Sequence, residues 1–118
     1  MIVYISGAYS NGDREENVAR ARRVAIELLK RGLTPLCPHT HYHNFDHEGV
    51  DYDAIIRADV ELLLRCDAVL MLPGWQTSNG AKIEHKRAIE EGIPVFYGVE
   101  EILKALRDGV SGVSDKLQ

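Results

Sequence analysis

The chain has 118 residues, a formal net charge of −4 and a pI of about 5.7; that length suits one domain with one core, and the acidic balance speaks against nucleic acid, whose phosphates must be met by Lys and Arg. Cys37 and Cys66 are too few for a disulfide framework and form no CxxC pair, so they read as small buried hydrophobes in a reducing cytoplasm. The opening MIVYISGAYS lacks a basic leader region and no run of about 18 apolar residues occurs, so the expectation is a soluble chain with no membrane partner.

Ile2 to Ile5 is a short apolar run stopped by Ser6-Gly7, which predicts a first strand followed by a polar loop. From about Asp13, the residues Val18, Ala21, Val24, Ala25, Leu28 and Leu29 recur at helical spacing, with Asp13 and Glu16 placed as a capping box and Gly32 as the stop. Leu33 to Cys37 predicts a second strand, and Pro38 to Tyr52 a long loop rich in His and aromatic residues. A helix is expected over 53–65, its apolar residues Ile55, Ile56, Leu62, Leu63 and Cys66 surrounding one acid, Asp59. Ala68 to Leu72 is a nearly continuous apolar run, as in a strand covered on both faces. A loop over 73–80, a helix over 81–91, a strand over 94–97 and a last helix over 99–107 follow. Residues 1–108 therefore read as one domain, and 109–118 as a tail with little to pack.

Strands alternating with helices imply a small α/β fold: a doubly wound, Rossmann-like parallel sheet of four to five strands in the order 2-1-3-4, with helices on both faces. Ligands of such sheets bind beyond the carboxyl ends of the strands where the winding reverses. Two segments meet there, 6–10 and 74–84.

Ser78 or Asn79 is placed to cap the helix that follows, Gly80 to let a ligand approach the backbone, and the first-turn N–H groups to favour an anion. Glu84 shares a helix face with the small residues Ala81 and Ala88, which leave room for a substrate. Spacing alone reads Glu84 equally as a site acid or as a complement to the helix dipole. Asp59, on an apolar stripe, is either a buried structural partner or a site acid. Two carboxylates converging on one pocket are the usual equipment for glycosidic bond cleavage. His39, His41 and His43 would share a face if extended, which is zinc-like spacing, yet no Cys or acid pair accompanies them, so no metal is expected. Tyr42, Phe45 and Trp75 are candidates to stack on a base.

The ordered set Val3-Tyr4-Ile5-Ser6-Gly7, Asp59, the strand from Ala68 to Leu72, Gly80-Ala81-Lys82-Ile83-Glu84 and Gly92-Ile93-Pro94-Val95 resembles the nucleoside 2-deoxyribosyltransferase superfamily, which includes 2′-deoxynucleoside 5′-phosphate N-hydrolases. The resemblance implies that Glu84 attacks C1′ of the sugar, that Asp59 protonates the leaving group or contacts the sugar, and that Tyr4 orients the nucleophile. Asp67, at the far end of the sheet, reads as structural. Ser78 occupies a place where the transferase branch carries an aspartate and the nucleotide hydrolase branch a phosphate-binding serine. Ser6, Gly7, Ser78, Asn79 and Gly80 are accordingly the expected substrate and phosphate contacts, with Ser10 and Arg14 in the first loop as further candidates.

The expected activity is hydrolysis of the base–sugar bond in a (deoxy)nucleoside 5′-monophosphate, without cofactor or metal, by a homo-oligomer whose sites a neighbouring subunit completes. Base exchange by a transferase is the nearest alternative, and a nucleotide-binding module without turnover is the rival from another class. A cytokinin-type phosphoribohydrolase lacks support in Pro73-Gly74-Trp75, which has no double-glycine turn. A phospho-acceptor receiver domain is disfavoured because Ser6-Gly7-Ala8 stands where its acid cluster would be.

Overall fold

The computed structural model describes residues 1–109, and the expected tail lies, apart from Gly109, outside the described residues. The strands β1 (Ile2–Ser6), β2 (Thr34–Leu36), β3 (Ala68–Met71) and β4 (Val95–Phe96) form one all-parallel sheet in the order β2-β1-β3-β4. The five helices are α1 (Arg14–Lys30), α2 (Pro38–His41), α3 (Tyr52–Leu63), α4 (Asn79–Glu90) and α5 (Val99–Arg107). Among the described residues no helix is long and apolar enough to cross a membrane.

Strand alternation divides the core into two layers. Val3, Ile5 and Leu70 face one side and pack with Leu28 of α1 and Ile102 of α5. Tyr4, Val69 and Met71 face the other and pack with Leu63 of α3 and Ala81 and Ala88 of α4. The sheet is thus covered on both faces, which is why Ala68 to Leu72 is apolar without alternation. Cys37 and Cys66 are free and buried, as small hydrophobes should be.

Local chemistry sets the helix starts. Asp13 caps α1 by accepting from the Glu16 N–H at 3.2 Å, and Ser78 caps α4 by accepting from the Ala81 N–H at 3.2 Å. The second cap starts α4 two residues earlier than the apolar pattern suggests. Leu29, counted in the apolar stripe of α1, is 61% exposed, because the α1 side facing the sheet is carried by Ala21 and Leu28.

The segment 38–52 is not a plain loop. Pro38 opens α2 at a position where its missing N–H costs nothing, and a 3₁₀ turn follows over Phe45–Glu48. Arg14 is one of its ties to the domain: the guanidinium donates to both Asp46 carboxylate oxygens (2.9 and 2.7 Å), to Asn44 Oδ1 and to Ser10 Oγ, and lies 4.6 Å from the Tyr9 ring centre. The first loop is pinned in turn by buried Asn17, which donates to the carbonyls of Tyr9 and Asn11.

Candidate active site

A cleft of about 400 Å³ opens at the carboxyl ends of β1 and β3, where the winding reverses. Tyr4 and Gly7 of β1 and its loop form the floor, Ile55, Ile56 and Asp59 of α3 one wall, and Ser78, Asn79, Gly80, Ala81 and Glu84 the start of α4. Tyr9, Tyr42 and Tyr52 bring three aromatic rings to the cleft.

Glu84 and Asp59 are buried, at 5% and 7% exposure, and face one another from α4 and α3. Burial lifts both acids: Asp59 is pushed up to about 7, and Glu84, which also feels the Asp59 charge, to about 8. Two carboxyls so close hold one proton between them near neutral pH and titrate as a pair. Burial and the contact between the two acids both make Glu84 the weaker acid, while the hydroxyl of Ser6 acts the other way. Ser6 Oγ donates to Glu84 Oε1 at 2.6 Å, whereas Asp59 Oδ1 is buried without a partner. We place the negative charge on Glu84 and the proton on Asp59, because the carboxylate needs the donor more than the acid does.

Tyr4 is fully buried, and burial together with the Glu84 and Asp59 charges raises its pKa well above the ordinary phenol value. It stays a protonated donor beside Glu84, although its Oη makes no hydrogen bond. Tyr4 Oη, Asp59 Oδ1 and His39 Nδ1 are the buried side-chain polar atoms without a partner among the described residues, and all three belong to cleft residues. Such atoms are rare in folded proteins and destabilising, and their gathering in one cleft makes it the candidate site.

The expected site residues fall into two groups. Glu84, Asp59, Tyr4, Gly7, Ser78, Asn79 and Gly80 all line the cleft. Ser6 does not: it is fully buried, and its hydroxyl donates to the Glu84 carboxyl. A Cβ at Gly80 would lie 2.9 Å from Ile56 Cδ1 and 3.0 Å from Tyr52 Oη, so the missing side chain also makes room for these two side-chain tips of α3. Gly7 likewise admits Leu72, which a Cβ would meet at 2.8 Å.

The three histidines do not converge, because α2 replaces the extended segment that would have aligned them. His39 is buried with Nε2 against the Ala8 carbonyl and its pKa lowered by burial, His41 is exposed, and His43 pairs with Tyr9. Among the described residues no group of three His, Cys, Asp or Glu side chains is placed to hold a metal ion. Trp75 stacks on His85 at 4.2 Å outside the cleft, and Phe45 packs on Tyr42, so of the three stacking candidates only Tyr42 lines the cleft. Sequence reasoning missed Tyr9 and Tyr52 in that role. The charged residues of the lining are Asp46, Asp59 and Glu84, with no Lys or Arg; Arg14 lies behind it, engaged with Asp46.

No curated protein matches the chain. Residues 1–98, which run from β1 through β4 and include every residue of the cleft, match the family described as domain of unknown function DUF7768, and the chain belongs to that family.

Proposed function

We propose that the protein cleaves the N-glycosidic bond of a nucleoside 5′-monophosphate with Glu84 as nucleophile. The observation that carries this reading is the buried Glu84–Asp59 pair at the head of a cleft that also gathers the partnerless polar atoms of its lining. Glu84 Oε attacks C1′ as the C1′–N bond breaks, and the bond's electron pair stays on the base nitrogen, which takes the Asp59 proton. Water then attacks C1′, gives its proton to Asp59 and releases Glu84. The planar base fits between aromatic walls, and the phosphate fits the start of α4, where Ser78, Asn79 and Gly80 lie.

A second reading, an unphosphorylated nucleoside with base exchange in place of hydrolysis, is favoured by the wholly acidic charge of the lining, which repels a phosphate dianion. A panel of nucleosides and their 5′-monophosphates, assayed for released base, separates the two. The first reading expects kcat/KM for monophosphates at least tenfold above that for nucleosides, with Ser78→Ala eroding the ratio. A ratio below one, unchanged in Ser78→Ala, moves the assignment to the second reading. No base released from any member of the panel overturns both.

A further inference from the structure

Tyr4 and Ser6 are two residues apart on β1 and so project from the same face of the strand, about 6.6 Å apart at the usual rise. Their neighbours Val3 and Ile5 enter the opposite core layer, leaving these two hydroxyls facing α4. Ser6 is the last residue of the strand, and its carbonyl accepts from the Leu72 N–H at 2.8 Å, so the backbone carrying the side chain is held by the sheet. Its hydroxyl reaches 78 positions along the chain to donate to Glu84 Oε1 at 2.6 Å, a bond that is stronger when the carboxyl is ionised and so favours that form. The ionisable groups that face Glu84 are Tyr4 from β1 and Asp59 and Tyr52 from α3, and none is a cation.

We infer that Ser6 is a positioning residue: its hydroxyl fixes the Glu84 carboxylate and decides which of the two facing acids carries the charge and which keeps the proton. Without it, Glu84 keeps only the Tyr4 hydroxyl beside it as a donor, and a shared proton has less reason to stay on Asp59. With it, the nucleophile is ionised and the acid is protonated before substrate arrives. The inference rests on the Glu84 mechanism for its kinetic consequence, but the division of charge is a property of the protein alone.

The test uses Ser6→Cys, which nearly preserves volume and replaces a strong donor by a weak one, beside Ser6→Ala. In substrate-free protein carrying ¹³C-labelled Asp and Glu carboxyls, the wild type should titrate with Glu84 losing its proton first. In both variants the Glu84 midpoint should move up by about one pH unit and the Asp59 midpoint down. With substrate, the acid limb of the kcat/KM profile should move up and the basic limb down with the two midpoints, narrowing the bell and lowering kcat/KM about tenfold at pH 6 with KM unchanged. If Ser6→Ala fails to fold, Ser6→Cys gives the answer by itself. Unmoved midpoints in a folded Ser6→Cys protein, or a wild type in which Asp59 ionises first, overturn the inference. Absence of turnover on every substrate, with the midpoints moved as expected, would instead remove the glycosidase reading and leave the role of Ser6 standing.

Discussion

The two ends of the sheet treat a carboxylate in opposite ways. At the amino end, Asp67 accepts the Ile2 N–H at 2.7 Å and donates its own N–H to the Ile2 carbonyl at 2.9 Å, which ties the turn before β3 to the first residue of β1 in a half-exposed setting. At the carboxyl end, Glu84 and Asp59 are almost fully enclosed, face each other and lack a cation. The first arrangement is what stability favours. The second destabilises the fold by desolvating two acids, and an arrangement of that kind persists where function needs it.

The largest effect should come from Glu84→Gln, which keeps an acceptor for Ser6 and gives Asp59 an amide donor. Base release should fall by a factor of about a thousand or more, as expected for loss of a group that acts in the transition state. The fold should gain stability at the same time, with the gain growing from pH 5 to pH 8. The sign follows from linkage. The folded-state values of both acids lie above the ordinary 3.8 and 4.5. Between about pH 4.5 and 8 the folded protein therefore binds more protons than the unfolded chain, and wild-type stability falls as pH rises, by up to about 1.4 kcal/mol per pH unit for each extra proton. Urea unfolding across that range should show the slope in wild type and a flatter one in Glu84→Gln. A wild-type stability that rises from pH 5 to 8 would mean that the pair is better solvated than its burial implies.

Asp59→Asn sharpens the contrast within the carboxyl end. If Asp59 is the general acid of the proposed reaction, its loss should lower kcat about a hundredfold and remove the basic limb of the pH–rate profile, while leaving the protein at least as stable as wild type at pH 8. Reduced thermal stability with unchanged kcat would make Asp59 a structural residue.

The smallest effect belongs to the amino end. Asp67→Asn weakens a charge-assisted bond to the Ile2 N–H, so unfolding free energy should drop by about 1 kcal/mol. Steady-state kinetics should stay within twofold of wild type. A tenfold change in kcat would show that the two ends are coupled through β1 and would break the comparison.

Much of this arrangement is legible in the order of residues along the chain. The apolar run from Ala68 to Leu72 and the helical spacing of Ala21 and Leu28 specify the elements, because periods of 2 and 3.6 are local properties of the backbone. The absence of strict alternation in β3 announces a sheet covered on both faces, and right-handed crossovers then order the strands. Asp59 stands out as an acid on an apolar stripe, and Glu84 as an acid flanked by Ala81 and Ala88 on one face. Tertiary structure decided what lies across large separations. That the Ser6 hydroxyl turns to Glu84 depends on α4 packing over the end of β1, 78 positions along the chain, for which no local pattern codes. The same holds for Gly80, whose missing side chain makes room for two side-chain tips of α3, and for Trp75, which a turn directs to His85 outside the cleft. The segment 38–52 reads as a loop because it is polar and short-ranged in pattern, and one of its ties is Arg14 reaching over from another element to hold Asp46 and Asn44. Periodicity records which face of an element is buried; only the packed fold determines which polar groups meet inside it.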